Sequence, residues 1–301
     1  MFPNELAKQQ EAKIRLAIVF SVLGLVILAL LAVFQAFPEP LWLWVLFAAA
    51  FVFFEWNTVE VNDKLFASPS VMVILTAAVV FGPTSAVLGC AVMAALGPFQ
   101  PVDLREHRWF QPAVNFGQMV ITATVSVAVL VFVMGTGPVS SSNMWRVALA
   151  SALAAITYGL VNYQLVSFIV RHVYGHRDVN AWSHMSQLVV PYLGMGFLGG
   201  LLGATYLLIG PASLPLIGIV FFTGYMAFES YAKLREAQLS TLAGFIKALE
   251  AKDLYTRGHT ERVAYFSNMI GQEMGFNGTQ LETLRWAALI HDVGKLAVPR
   301  E

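Results

Sequence analysis

The chain has 301 residues, of which 57% are hydrophobic and only 12% are charged. Soluble domains carry about twice that share of charged residues, so the composition excludes an ordinary soluble protein. The formal net charge of zero argues against a nucleic-acid-binding surface, which needs a basic excess. Half of the charged residues lie between Glu229 and Glu301, which predicts a membrane part over residues 1–228 and a soluble part behind it.

Apolar runs of membrane-crossing length follow one another through the first part of the chain. The first one, residues 16–37, is long enough for a bilayer core of about 30 Å and lacks a cleavage signal, so we interpret it as a retained anchor. Further runs cover residues 41–54, 71–96, 112–134, 147–170, 188–209 and 212–228. The sequence therefore predicts an all-α, polytopic membrane domain whose partner is the lipid bilayer.

The run at 71–96 contains Gly82 and Pro83 and divides into two short halves. Counted as two segments, it brings the total to eight. With eight segments, Lys and Arg fall in every second connection between segments, and Arg146 is the single discrepancy. This alternation is the charge bias typical of cytoplasmic loops. We therefore predict eight segments in the inner (plasma) membrane, with both termini in the cytoplasm.

Polar side chains at membrane depth are costly and are candidates for function. Asn115 and Gln118 share one face of a predicted helix, and Asn162 and Gln164 form a second polar pair. We predict a possible signal-binding pocket at Asn115 and Gln118. The simpler alternative is that these residues form hydrogen bonds between neighbouring helices.

The pattern of residues 229–253 predicts a helical connector that continues out of the membrane. Its residues Leu234, Gln238, Leu242, Phe245 and Leu249 recur mostly every three or four positions. Such a seam suits a homodimer through this helix, but it is too short to establish a coiled coil. Packing of the same face on its own domain is an equal alternative.

The sequence of residues 254–301 predicts a partial helical domain. A helix opens at His259 and stops near Gly275, and Thr279 with Glu282 has the spacing of a capping box that starts the next helix. His291 and Asp292 emerge at the end of that next helix. Imidazole and carboxylate suit Mn, Fe, Zn or related divalent ions, which can neutralise a phosphoryl oxygen and acidify water.

Two ordered motifs give this pattern its specificity: EAKDLYTRGHTERV at residues 250–263, and HDVGKLAVP at residues 291–299, with His259 and His291 separated by 32 positions. Together they closely resemble the opening of HD-GYP domains, which belong to the HD superfamily of metal-dependent phosphohydrolases. The resemblance covers about residues 239–301. The membrane region resembles, more weakly, the multi-helix sensor modules attached to bacterial signalling enzymes.

The HD-GYP resemblance implies a set of residue roles. His259, His291 and Asp292 would be metal ligands, Asp292 and Lys295 catalytic groups, and Lys295 and Arg262 contacts to the substrate phosphate. It also implies an all-helical bundle, divalent metal cofactors such as Fe or Mn, and cyclic di-GMP as the nucleotide substrate.

The family's downstream ligands and its Gly-Tyr-Pro segment do not occur in the 301 residues. We therefore expect a truncated form of a longer signal-transduction hydrolase, with weak metal binding and little turnover. Two alternatives stay open. One is an HD phosphohydrolase of another nucleotide, and the other is a non-catalytic membrane receptor or transport component with a vestigial tail.

Overall fold

A computed structural model describes residues 3–62, 65–67, 69–174, 181–252 and 258–296. The predicted all-helical fold is confirmed, with one addition, a pair of short antiparallel strands, β1 (Val59–Asn62) and β2 (Leu65–Ala67). The helices are α1 (Pro3–Phe34), α2 (Leu41–Trp56), α3 (Ser70–Phe81), α4 (Ala86–Leu96), α5 (Pro101–Arg105), α6 (Phe110–Met134), α7 (Met144–Tyr174), α8 (Ala181–Ile209), α9 (Leu214–Lys252), α10 (His259–Glu273) and α11 (Gly278–Ile290).

Five described segments are long and apolar enough to cross a membrane: Gln10–Phe34, Phe110–Met134, Met144–Val173, Val189–Ile209 and Pro211–Gln238. Helices α2, α3 and α4 are equally apolar but shorter. The predicted division of residues 71–96 is confirmed, because α3 ends at Phe81 and Gly82 follows with a φ of +73°. The count of eight crossings and the side of each terminus stay predictions.

The core of the membrane part lies around α3. Val73, Ile74 and Leu75 have no exposed surface, which is why this helix is apolar on every side. The glycines of α8 allow its close approach, since a Cβ on Gly199 would lie 2.9 Å from the carbonyl oxygen of Met72. Small residues at such crossings are typical of helices packed within a membrane.

Helices α1 and α6 cross at a second glycine contact. A Cβ on Gly24 would lie 2.8 Å from the ring of Phe116, and one on Gly117 would overlap the backbone carbonyl of Phe20. Phe20 is 4% exposed and packs with Val114. The two backbones are thus in direct contact at Gly117.

The polar residues of α6 and α7 meet across the helix interface. The side-chain amide of Gln118 donates to the side-chain oxygen of Asn162 and, at 3.4 Å, to the hydroxyl of Thr122. Gln118 is buried, whereas Asn115 and Gln164 are exposed. The structure therefore brings Gln118 together with Asn162 instead of Asn115, which favours the helix-to-helix alternative. The signal pocket stays a prediction.

The chain divides into two compact units. The first comprises Met1–Asp178 and Met185–Phe228, and the second comprises Val179–His184 and Glu229–Glu301. The predicted connector lies within α9, apart from Asp253, which is outside the described residues. Leu234 and Phe245 are 59% and 60% exposed. A homodimer through this helix stays a prediction.

Candidate metal centre

Helix α10 carries the first of the three predicted ligands at its N-terminal end. Gly258 precedes the helix with a φ of +70°, a left-handed conformation that glycine adopts without steric cost. His259 is the first helical residue, as predicted, and Thr260 and Ala264 are buried. Gly275, with a φ of +75°, follows the end of the helix at Glu273.

The predicted capping box at the start of α11 is wrong by two residues. Asn277 is the N-cap: its side-chain oxygen accepts from the backbone N–H of Gln280 at 3.0 Å, and the side-chain oxygen of Gln280 accepts from the backbone N–H of Asn277 at 2.9 Å. Asn277 and Gln280 have the same spacing as Thr279 and Glu282. Asparagine ranks above threonine as an N-cap, so the earlier pair starts the helix.

Close packing of α10 on α11 brings their functional ends together. A Cβ on Gly271 would lie 2.8 Å from the side chain of Leu281 and 2.9 Å from that of Leu284, so a larger residue would have to displace these side chains. Leu281 and Ala288 are buried on the same face of α11. This face leads to His291, which follows the last residue of the helix.

The structure places His259, His291 and Asp292 side by side. One ligand atom from each lies within 4.8 Å of the other two. The imidazole rings of His259 and His291 have centroids 5.6 Å apart, and His291 Nε2 lies 3.4 Å from Asp292 Oδ1. Among the described residues this is the one group of three or more such side chains that could hold a metal ion.

The orientation of His291 is determined by the backbone of its own helix. His291 Nδ1 lies 2.8 Å from the carbonyl oxygen of Ala288. A carbonyl oxygen can only accept, so Nδ1 carries the hydrogen, and Nε2 of the neutral ring presents its lone pair beside Asp292. A carbonyl that orients a ligating histidine in this way is a common support of metal sites. Sequence reasoning missed the Ala288 carbonyl because a backbone acceptor has no signature in the sequence.

The three donors fit a divalent cation. Bonds of about 2.1 Å to nitrogen and oxygen hold ligand atoms no more than about 4 Å apart, so the group needs only small side-chain adjustments. Two imidazoles and a carboxylate suit several first-row metals, and three protein ligands leave coordination positions open. The metal dependence of the HD family is consistent with this donor set. The identity of the metal is a separate matter.

The two predicted phosphate contacts lie on different elements. Arg262 is exposed one turn after His259, and its Nη1 would lie 3.1 Å from a Cβ on Gly258. Its guanidinium thus folds back towards the start of α10. Lys295 lies in a 3₁₀ turn, Val293–Leu296, but its side chain is outside the described part of the chain. Both roles stay predictions.

Replacing Gly258 with alanine is expected to destabilise the start of α10. The side chain would be strained by about 1–2 kcal/mol at this positive φ and would also displace Arg262. Denaturant unfolding, monitored through the loss of helix content, measures this effect. Gly275→Ala is the matched control, because it has a similar φ but nothing within 4 Å of the added Cβ. Equal losses in the two variants would show that the Arg262 contact contributes nothing.

Two family models match different parts of the chain. The family model described as HD domain matches residues 256–301, which contain the three clustered side chains. The fold and the site thus define a helical membrane protein that carries an HD-type domain. The family model MASE9, a sensor family, matches residues 37–229, and the chain belongs to this family. The resemblance of the C-terminal part to HD domains and that of the membrane part to sensor modules are both confirmed.

Curated relatives match short segments of the chain. A 3′3′-cGAMP-specific phosphodiesterase 3 of Vibrio cholerae is 38% identical over 71 residues, which are 23% of this chain and 15% of that protein. A cyclic di-GMP phosphodiesterase of Thermotoga maritima is 40% identical over 50 residues, 17% of this chain and 14% of that protein. The cyclic di-GMP phosphodiesterase response regulator RpfG of Xanthomonas campestris is 27% identical over 70 residues, 23% of this chain and 18% of that protein.

The matched segments therefore span less than a fifth of each relative's length. No solved structure matches the chain.

Proposed function

We propose that the protein is a membrane-bound, metal-dependent phosphodiesterase of the HD-GYP type that hydrolyses cyclic di-GMP under the control of its MASE9 membrane domain. The convergence of His259, His291 and Asp292 carries this proposal. Those donors suit a divalent cation, and curated phosphodiesterases of cyclic dinucleotides match part of the chain.

Each residue has a defined part in the proposal. The imidazoles of His259 and His291 and the carboxylate of Asp292 hold the cation, and the carbonyl of Ala288 keeps His291 Nε2 turned towards it. When bound, a divalent cation neutralises charge on a phosphoryl oxygen and makes water a better nucleophile. Arg262 and Lys295 are proposed to bind the substrate phosphates, because guanidinium and ammonium groups pair with phosphate oxygens.

A second substrate is favoured by one specific observation. The relative from Vibrio cholerae is described as specific for 3′3′-cGAMP, and it is 38% identical to this chain over 71 residues. The two cyclic dinucleotides share the same phosphodiester chemistry and differ in one base. The proposed metal centre would act on either, so residues elsewhere must select between them.

The direct test is a hydrolysis assay of the natural full-length protein in its native membrane, because little turnover is expected of residues 1–301 alone. We expect cyclic di-GMP to be converted to its linear form, and we expect a chelator to stop the reaction and Mn²⁺ or Fe²⁺ to restore it. Chromatography of the nucleotides measures both. If 3′3′-cGAMP alone is hydrolysed, the second substrate is correct. If neither is hydrolysed in a metal-dependent way, the proposed activity is wrong.

A further inference from the structure

Glu55 is the only carboxylate in the described apolar helices α2, α3, α4, α6, α7 and α8. It lies one residue before the end of α2, in the first compact unit. Ionisable side chains in apolar helices are costly, and those that occur usually face the bundle interior and have a function. The surroundings of Glu55 therefore need an explanation.

The half-buried side chain of Glu55 joins two helices. Glu55 Oε2 accepts a hydrogen bond of 2.7 Å from the hydroxyl of Ser70. Ser70 is the first residue of α3 and is 1% exposed. This bond connects the end of α2 with the start of α3, across the segment that contains the two short strands.

The stem of Glu55 is tightly packed. A Cβ on Gly97, just after α4, would lie 3.1 Å from Glu55 Cγ, 3.1 Å from Met119 Cε and 3.2 Å from Phe51 Cε1. The neighbouring Trp56 donates from its indole nitrogen to the carbonyl oxygen of Gly97 at 2.9 Å. Helices α2, α4 and α6 thus meet at this point, and an atom added at Gly97 would crowd the stem.

No described side chain brings a positive charge to Glu55. None of the ion pairs in the described ranges includes it. Among the described residues, the titratable groups within its electrostatic reach are Tyr158 of α7 and Tyr192 of α8, whose buried rings stack 6.4 Å apart. Tyr225 of α9 packs on the adjacent Phe54, while α3, α4 and α6 contribute no titratable group to these contacts.

A carboxylate among neutral partners is under strong pressure to lose its charge. Removing an unpaired charge from water costs several kcal/mol, whereas a hydrogen bond to a charged group returns about 1.5–3 kcal/mol. A metal ion requires several oxygen ligands, and the described contacts supply only the carboxylate and the Ser70 hydroxyl. A proton removes the charge without additional ligands or space.

We propose that Glu55 is a proton-binding site of the membrane domain, and that its protonation loosens the junction between α2 and α3. A hydronium ion of the solvent gives up a proton and becomes water, an O–H bond forms on the carboxylate, and the side chain becomes neutral. Ser70 then donates to a neutral acceptor, which gives a weaker hydrogen bond than the carboxylate does. The junction is therefore tight when Glu55 is charged and looser at lower pH, whatever the HD segment catalyses.

Infrared difference spectroscopy of the full chain in lipid membranes, recorded across a pH titration, tests this proposal. We expect a carboxylic-acid C=O band that grows as the pH falls and is lost in Glu55→Gln. Glu39→Gln is the matched control, because Glu39 is an exposed carboxylate in the loop before α2, and the band is expected to remain. Ser70→Ala should shift the band to higher frequency, since its carbonyl loses a hydrogen bond.

Ser70→Ala keeps the test decisive even if Glu55→Gln fails to fold. A band that survives in Glu55→Gln, or one that does not shift in Ser70→Ala, would overturn the proposal. So would a band that disappears at constant pH when Na⁺ or K⁺ is added, because the occupant would then be a metal cation.

Discussion

The His291→Ala chain is expected to lose its divalent metal, with metal content falling to background and affinity dropping more than about 100-fold. Residues that merely support a ligand already contribute about 10–100-fold, and this change removes a ligand atom. His291 Nε2 is held beside Asp292 Oδ1 at 3.4 Å, so the substitution leaves two donors of three. Asp292→Ala is expected to have a comparable effect. Elemental analysis of the purified protein measures both.

His172→Ala is the matched control for this experiment. His172 is an exposed histidine near the end of α7, and its Nδ1 also contacts a backbone carbonyl, that of Phe168 at 2.9 Å. It has the same chemistry but does not belong to the His259 cluster. Its removal should leave the metal content unchanged. Parent-level metal in both His291→Ala and Asp292→Ala would refute the proposed ligands.

Gly117→Ala is expected to destabilise the membrane unit by about 3 kcal/mol, near the upper end of typical overpacking effects. The added Cβ would overlap the backbone carbonyl of Phe20 and lie 2.9 Å from its Cα. A backbone cannot rotate away as a side chain can, so α1 would have to separate from α6. Phe20, which is buried against Val114, would lose part of its packing. Unfolding of the purified protein in detergent by heat or denaturant measures the loss.

Gly194→Ala in α8 is the control for the general effect of replacing glycine with alanine in a helix. Nothing lies within 4 Å of a Cβ on Gly194, and alanine favours a helix by about 1 kcal/mol over glycine. The control is therefore expected to be as stable as the parent or slightly more stable. If Gly117→Ala unfolds at the same point as Gly194→Ala, the close crossing of α1 and α6 is wrong.

Features encoded by neighbouring residues could be predicted from the sequence. The break between α3 and α4 follows from Gly82 and Pro83, because glycine adopts a positive φ and proline cannot continue a helical hydrogen-bond ladder. The start of α10 at His259 follows from the glycine before it. The motif around His291 and Asp292 indicated the HD domain without any knowledge of the fold.

Local signals fail where two of them compete. Asn277 with Gln280 and Thr279 with Glu282 both have the spacing of a capping box, and the two pairs overlap in the chain. The predicted pair is Thr279 with Glu282, although asparagine ranks above threonine as an N-cap. The helix starts at the stronger cap, two residues after Gly275 has ended the previous helix.

The sequence by itself determined the apolar helices, the change from membrane part to HD segment, and the residue types able to bind a metal. Only the tertiary structure decided which polar groups meet: Gln118 with Asn162, and Glu55 with Ser70. Hydrophobic periodicity and caps depend on residues within a few positions. Partners on different helices depend on packing between distant parts of the chain, where the cost of a buried polar group selects a pairing that no local pattern contains.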